Sequence, residues 1–100
     1  MKISLGCDEA AYQLKETIKE HLQKAGHEVM DHGVGEGETA LYPDIAVKTC
    51  EKVADGTCDR GILVCGTGIG MAMTANKVPG IRAAVCHDPY STERSILSNN

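Results

Sequence analysis

The segment from Cys65 to Gly70 (C-G-T-G-I-G) is the part of the chain whose residue types and spacing best suit chemistry. Its alternate glycines follow an apolar run and precede a helical pattern, the position where open α/β sheets bind ligands. Glycine lets backbone N–H groups approach an anion closely, and a helix N-terminus favours negative charge. Met71 stands where a dinucleotide fingerprint needs its last glycine, and no Gly-Lys-Ser/Thr follows. The segment therefore predicts an anion hole, or else a tight turn that needs glycine for conformation alone.

Cys65 adds a reactive group at the start of this loop. A free thiol titrates near ~8.5, and a helix N-terminus can lower that pKa. A thiolate aimed at a carbon next to a carbonyl could remove its proton, while glycine N–H groups hold the resulting enediolate oxygen. Thr67 would hydrogen-bond the thiol or move a proton between substrate oxygens. The alternative is that Cys65 is a buried residue at a strand end and Thr67 a turn residue.

Four alternating strands and helices are predicted to position this loop. The strands are Lys2–Gly6, His27–Asp31, Gly61–Val64 and Ile81–Cys86, and the helices are Ala11–Ala25, one that opens at Tyr42, Ile69–Val78 and Tyr90–Leu97. A loop is expected over Gly33–Gly37. The run Gly61–Val64 is apolar throughout, which is typical of a parallel strand covered on both faces. The alternation indicates an α/β protein with an open parallel sheet and helices on both sides.

Lys and Glu alternate along Lys15–Lys24, which predicts a solvated face on the first helix. Its apolar face would be formed by residues at three- and four-residue spacings: Leu14, Ile18, Leu22 and Ala25.

The composition supports one domain over residues 1–100 and excludes several classes of protein. A formal net charge of −4 provides no basic face for nucleic acid. No apolar run approaches the ~20 residues that cross a bilayer, so we expect no membrane association. The five cysteines form no C-x-x-C pair and the four histidines lack ligand spacing. We therefore expect a cytoplasmic protein with no disulfide framework, no metal and no cofactor.

Five short segments form a pattern that runs in order through the whole chain. They are G-C-D at 6–8, Tyr42-Pro43-Asp44, G-I-L-V-C-G-T-G-I-G at 61–70, A-N-K-V-P-G-I-R-A-A at 75–84 and Tyr90-Ser91. The pattern resembles the ribose-5-phosphate isomerase B family, which includes the galactose-6-phosphate isomerase subunits. The resemblance implies a Rossmann-like three-layer α/β/α fold and an aldose–ketose isomerase that acts on a phosphorylated sugar through a metal-free enediolate. It also implies a homodimer or homotetramer with sites at the subunit interface.

The resemblance assigns roles to individual residues. Cys65 would be the base at the first two sugar carbons, assisted by Thr67. The substrate-binding set would combine the enediolate hole with residues from other segments: Asp8, Glu9, Tyr42, Gly66, Gly68, Ile69, Gly70 and Asn99.

Two positions depart from the pattern of the pentose isomerases. Those enzymes usually have His where this chain has Glu9, and a ring-opening His where it has Ser98. Either Ser98 or His87 would have to replace that acid, although the position of His87 does not match. Family members also continue with a strand and a helix whose arginines grip the phosphate. We therefore expect that the chain is truncated at its C-terminus.

The missing ring-opening acid leaves the substrate undecided between two sugars. Ribose 5-phosphate closes into a furanose, whereas a tetrose 4-phosphate has no free hydroxyl placed to close one. We expect conversion of ribose 5-phosphate to ribulose 5-phosphate, with erythrose 4-phosphate and erythrulose 4-phosphate as the alternative pair. A non-catalytic module that binds sugar phosphates would use the same loop. A thiol redox protein is disfavoured because no second cysteine lies within a few residues of Cys65.

Overall fold

Three parallel strands lie at the centre of the computed structural model, which describes residues 1–33 and 41–99. The elements in chain order are β1 (Lys2–Cys7), a 3₁₀ helix (Glu9–Ala11), α1 (Tyr12–Lys24), β2 (Glu28–Asp31), α2 (Tyr42–Ala54), β3 (Arg60–Val64), α3 (Ile69–Ala75) and α4 (Pro89–Asn99). The first three predicted strands and all four predicted helices are present. Of the predicted loop Gly33–Gly37, only Gly33 lies within the described residues.

The sheet has the order β2-β1-β3, and β1 pairs in parallel with both neighbours. The register between β1 and β3 sets Cys7 opposite Val64. Because both strands run in the same direction, the residues that follow them, Asp8 and Cys65, leave the sheet side by side at its carboxyl edge. This register brings together two residues that are far apart in sequence.

Alternate residues of the strands point to opposite faces of the sheet, and each face is covered by helices. On one face, Leu5, Cys7 and Val64 form a core with Ala11, and Ile18 of α1 packs against it. The other face carries a second core, formed by Ile45, Ala46 and Met71 of α2 and α3, against which Leu63 and Cys65 pack. The predicted three-layer α/β/α fold with helices on both faces is therefore confirmed.

The predicted fourth strand, Ile81–Cys86, is wrong for the described part of the chain: these residues form no strand. The side chain of Asn76 explains the difference at Ala83. Asn76 Oδ1 accepts a hydrogen bond from the Ala83 N–H at 2.8 Å, and its Nδ2 donates to the Ala83 carbonyl at 2.9 Å. Both backbone groups of Ala83 are thus occupied by a side chain instead of a neighbouring strand.

The predicted helix Ile69–Val78 is also shorter than expected, because α3 ends at Ala75. The next residues continue as single turns, in which Lys77 N–H donates to Thr74 O and Val78 N–H donates to Ala75 O. Gly80 then adopts a positive φ of 85°, which turns the chain away from the helix axis.

The interpretation of Lys15–Lys24 as a wholly solvated face is wrong at its first residue. Lys15 is only 2% exposed, whereas Leu14, expected on the apolar face, is 55% exposed. Lys15 Nζ lies 2.7 Å from Asp31 Oδ2 and 2.9 Å from Glu16 Oε1, and it stands 5.0 Å from the centre of the Tyr12 ring. Two carboxylates and the face of an aromatic ring thus stabilise the charge, which allows the ammonium to be buried.

In the two described ranges, no helix combines the length and the apolar character needed to cross a membrane.

Candidate active site

Cys65 lies directly after β3, where the strand gives way to the glycine loop. Its side chain is partly buried, with the apolar residues Ile45, Ala46 and Met71 beneath it. The predicted position at the carboxyl edge of a parallel sheet is the place where open α/β sheets bind ligands.

The thiol of Cys65 donates a hydrogen bond to Asp8. The distance from Cys65 Sγ to Asp8 Oδ2 is 3.0 Å. The second carboxylate oxygen, Oδ1, accepts the Ala11 N–H at 3.1 Å and caps the 3₁₀ helix, and the backbone N–H of Asp8 donates to Val64 O at 3.4 Å. Asp8 is therefore held in place by two neighbouring elements while one oxygen points at the sulfur.

The expectation that the pKa of Cys65 is lowered overall is wrong, because other effects outweigh that of the loop. Burial raises the pKa of the Cys65 thiol, and the hydrogen bond to Asp8 and its negative charge raise it further. The N–H groups of Gly66 and Gly68 lower this pKa, but only in part. The free protein therefore carries Cys65 as a thiol at neutral pH, because a thiolate would lie next to a carboxylate in a half-buried site.

The loop between β3 and α3 has the geometry of a tight turn. Gly68 adopts a positive φ of 78° at the N-cap of α3, a conformation that residues with a Cβ avoid. Thr67 Oγ1 accepts the Ile69 N–H at 3.2 Å. The first helical hydrogen bond of α3 runs from Ala72 N–H to Gly68 O. The N–H of Gly70 lies within that first turn and has no acceptor inside the helix.

Tyr42 packs against Gly70 and so belongs to the same region. A Cβ built on Gly70 would lie 2.9 Å from Tyr42 Cε1 and 3.0 Å from both Cζ and Oη. The ring is 42% exposed and stands at the start of α2. Gly70 therefore leaves the space that the Tyr42 ring occupies. No such constraint applies at Gly66, where an added Cβ would meet nothing within 4 Å.

A cavity of about 490 Å³ opens beside Cys65. Its polar lining includes Cys65, Thr67, Gly68, His87 and Thr92, and its walls are made by α1, β3 and residues 84–86. His87 Nδ1 lies 3.0 Å from Asp88 Oδ2, so Nε2 is the ring nitrogen left for contact with a ligand.

A larger cavity of about 660 Å³ lies on the side of α2 and α3, between β3 and residues 80–86. Cys65, Thr67 and the loop glycines do not line it. We assign the chemistry to the smaller cavity because it is the one that contains the thiol.

Several predicted site residues are not joined to this cluster by a described contact. Glu9 is exposed in the first turn of the 3₁₀ helix, and Ile69 is 58% exposed at the start of α3. Ser98 Oγ accepts a hydrogen bond from Arg94 one turn earlier in α4. Asn99 ends α4, and its side chain lies outside the described residues. The structure thus brings together Cys65 with Asp8 and the loop, and α4 reaches their cavity through Thr92 but not through Ser98.

Sequence reasoning missed the contact between the Cys65 thiol and Asp8, although both residues were predicted at the site. The available signal was that both follow buried strands, whose adjacency the sequence does not reveal. Among residues 1–33 and 41–99, no three His, Cys, Asp or Glu side chains are grouped so that they could hold a metal ion.

Comparison with known proteins gives the family of the chain. The sequence pattern of the family described as Ribose/Galactose Isomerase matches residues 3–100. The chain is 54% identical over 100 residues to Ribose-5-P isomerase B of Listeria innocua, covering 100% of this chain and 68% of that relative. It is 50% identical over 101 residues to D-erythrulose-4-phosphate isomerase of Pectobacterium atrosepticum, covering 100% of this chain and 66% of that relative.

Among solved structures, ribose-5-phosphate isomerase B of Clostridium thermocellum is similar with a TM-score of 0.91 and 50% sequence identity. That match covers 95% of this chain and 64% of the other. The chain thus spans about two-thirds of the length of these relatives. The family pattern spans residues 3–100 and the fold agrees with that of the solved structure. The chain therefore belongs to the ribose/galactose isomerase family, as its motifs predict.

Proposed function

We propose that this protein is an aldose–ketose isomerase of a phosphorylated sugar and that Cys65 is its catalytic base. One observation carries the proposal: a thiol at the carboxyl edge of the sheet lies in a cavity with Thr67 and Gly68 and is hydrogen-bonded to Asp8. Membership in a family of sugar isomerases supports the reaction class.

The reaction needs a base at carbon and donors for an oxygen anion. The thiolate of Cys65 takes the proton from C2 of the aldose, and the C–H electron pair forms the C1=C2 bond of an enediolate with its negative charge on O1. The N–H groups of Gly66, Gly68 and Gly70 stabilise that oxygen. The C1=C2 electron pair then takes the proton from the Cys65 thiol and forms the new C1–H bond. O2 gives up its proton as its electron pair forms the carbonyl at C2, and O1 takes up a proton to become a hydroxyl. The Thr67 hydroxyl, whose oxygen accepts the Ile69 N–H, keeps its own proton for donation to a sugar oxygen.

The other predicted substrate-binding residues are part of this proposal. Asp8 and Asn99 bind sugar hydroxyls, with Glu9 next to Asp8. Tyr42 packs against Gly70 at the end of the glycine loop, and Ile69 stands beside the loop as an exposed apolar side chain. Neither residue lines the cavity that holds Cys65, so both would meet the substrate outside it.

The test of the base is the variant Cys65→Ala, with Cys86→Ser as the matched control. Cys86 is an exposed thiol that lines the same cavity. We expect Cys65→Ala to bind the phosphosugar but to lose turnover by about 10²–10⁴-fold, together with deuterium uptake from D₂O at the sugar carbon. Cys86→Ser should behave like the wild type. Unchanged turnover in Cys65→Ala would refute the assignment of Cys65 as the catalytic base. Binding without deuterium exchange in the wild type would favour a non-catalytic binding module.

The substrate is proposed as ribose 5-phosphate, with erythrose 4-phosphate as the alternative. The family includes relatives named for ribose 5-phosphate and for erythrulose 4-phosphate. His87 is the candidate ring-opening acid because it lines the cavity that holds Cys65, whereas Ser98 does not line that cavity. A tetrose 4-phosphate needs no ring opening, so the two substrates place different demands on His87.

Steady-state turnover of both sugars by the wild type and by His87→Asn separates these possibilities. If ribose 5-phosphate is the substrate and His87 opens its ring, the wild type has the higher kcat/KM for that sugar, and His87→Asn loses turnover of it alone. A higher kcat/KM for erythrose 4-phosphate would identify the tetrose phosphate as the substrate. An equal loss with both sugars would remove His87 from ring opening.

The proposal places the active protein in the cytoplasm as a homodimer or homotetramer with sites at the subunit interface. The location is supported by the pattern of the five cysteines, which form no C-x-x-C pair and suit a reducing compartment. The oligomer is supported by the exposed apolar side chains of Ile69 and Met73 beside the site. Ile69 and Met73 lie four residues apart and so share one side of α3. Met73→Glu should dissociate the oligomer in sedimentation experiments and lower turnover in parallel. A monomeric wild type with full turnover would contradict this arrangement.

A further inference from the structure

The two carboxylate oxygens of Asp8 accept hydrogen bonds from different groups. Oδ1 accepts the Ala11 N–H at 3.1 Å, and Oδ2 accepts the Cys65 thiol at 3.0 Å. The Asp8 N–H donates a hydrogen bond to Val64 O, the carbonyl just before Cys65. Because both the backbone and one oxygen of Asp8 are held, its other oxygen has a defined direction toward the sulfur.

Among the described residues, few groups other than Asp8 could influence the proton of Cys65. The contacts from α2 and α3 are apolar, through Ile45, Ala46 and Met71. Across the cavity stand Cys86 and His87, and among the described residues that line it there is no Lys or Arg. Asp8 is the charged group that acts on the thiol, alongside the N–H dipoles of Gly66 and Gly68.

We propose that Asp8 is a positioning residue for Cys65, which keeps it as a thiol in the free protein and sets the pH at which its sulfur becomes a base. Loss of the thiol proton to water would leave two negative charges about 3 Å apart, an arrangement that proteins disfavour. The same contact fixes the direction of the sulfur before the substrate arrives. This inference rests on the proposed function because it gives the proposed base its working pH range.

Two replacements of Asp8 separate its charge from its capping role. Asn is as good an N-cap residue as Asp, so Asp8→Asn removes the charge and keeps the cap, whereas Asp8→Ala removes both. Asp59→Asn is the matched control: Asp59 is also a carboxylate that accepts a backbone N–H, from Lys2 at 2.9 Å, but it stands at the opposite end of β3.

The measurement is the rate of Cys65 alkylation by iodoacetamide as a function of pH, followed by peptide mass spectrometry. Cys86 in the same chain is the internal reference. A lower pKa raises the thiolate fraction tenfold per unit but makes each thiolate about threefold less reactive. We therefore expect Asp8→Asn to react about three- to tenfold faster at pH 7, with its pH profile moved to lower pH.

Each outcome bears on the inference directly. A profile of Asp8→Asn that coincides with the wild type would overturn it, and so would an equal change in Asp59→Asn. Circular dichroism of Asp8→Asn and Asp8→Ala checks that both variants are folded. If only Asp8→Ala alters the reactivity, Asp8 acts through its cap and the inference is wrong.

The alkylation rate needs no sugar, so it separates this inference from the proposed function. A shifted profile in a protein that isomerises no sugar phosphate would refute the function and keep the role of Asp8. Where turnover is measurable, the acid limb of kcat/KM should move to lower pH in Asp8→Asn even if KM rises. An unmoved limb would refute the role of Asp8 while leaving the function intact.

Discussion

The contact between Gly70 and Tyr42 provides a sharp test of how the glycine loop shapes the site. In Gly70→Ala the new methyl group would lie 2.9–3.0 Å from three atoms of the Tyr42 ring. Ordinary contacts between such atoms are ~3.5–4.0 Å, so the ring has to move by roughly 0.5–1 Å. Tyr42 is 42% exposed and stands at the start of α2, so it can swing outward.

The expected change in stability is small because two effects oppose each other. Overpacking costs about 1–3 kcal/mol in a closed core, and an exposed ring places this contact near the lower figure. Replacing Gly by Ala within a helix contributes about 1 kcal/mol in the opposite direction. The free energy of unfolding should therefore change by less than about 1 kcal/mol. The displaced ring should nevertheless lower kcat/KM by about ten- to a hundredfold if Tyr42 borders the substrate pocket.

A double-mutant cycle provides the assay and its control. Denaturant unfolding and sugar-phosphate turnover are measured for Gly70→Ala, Tyr42→Ala and the double variant. If the ring contact is the cause, Gly70→Ala has no further effect on turnover in the background that lacks the ring. An equal loss of turnover in both backgrounds would show that Gly70 acts through its own backbone, and the reasoning from the contact would fail.

Three further predictions concern the ion pairs and the loop. Lys15→Met should lower the free energy of unfolding by about 1–3 kcal/mol, because Asp31 stays half-buried and keeps only Lys19 as a described cationic partner. Lys24→Met, which breaks an exposed helical pair with Glu20, should cost less than about 0.5 kcal/mol in the same urea titration. Burial alone would raise the pKa of Asp31, but hydrogen bonds from Lys15, Gly33 and Lys19 lower it. The ionised Asp31 therefore stabilises the fold fully above its ordinary pKa of 3.8, and this stabilisation is lost as the pH falls through the lowered pKa. The free energy of unfolding of Asp31→Asn should therefore depend less on pH in this range than that of the wild type. Gly68→Ala should lower the free energy of unfolding by about 1–2 kcal/mol in the same titration, because Gly68 has a φ of 78°. Gly66→Ala is the control, since an added Cβ meets nothing within 4 Å there. An equal loss of stability in the two variants would contradict this reason.

The order of elements was predictable because their signals are local. β1 and β3 are short apolar runs that end at the site, and α1 and α2 follow apolar spacings of three and four residues. The glycine loop also follows from local chemistry, since the positive φ of Gly68 requires a residue without a Cβ. These features depend on neighbours in the chain, and a sequence displays such neighbours directly.

The fourth strand and the buried lysine were not predictable from the same patterns. Ile81–Cys86 has the composition of a strand, but Asn76 occupies both backbone groups of Ala83. Lys15 belongs to a charged helix face by its spacing, yet Asp31 at the end of β2 provides a partner that allows its burial. Strand pairing and the burial of a charge both depend on partners from other elements.

The candidate site divides along the same line. Cys65 and its glycine loop were predictable from sequence because one short segment contains both the thiol and the N–H donors. The protonation of that thiol was not predictable from sequence. The helix N-terminus alone predicts a lowered pKa, whereas burial and Asp8 raise the pKa. Asp8 and Cys65 are 57 residues apart and meet only because β1 and β3 are adjacent in register. Chemical identity is thus encoded locally, while the pKa of a group depends on the charges and the solvent that the tertiary fold places around it.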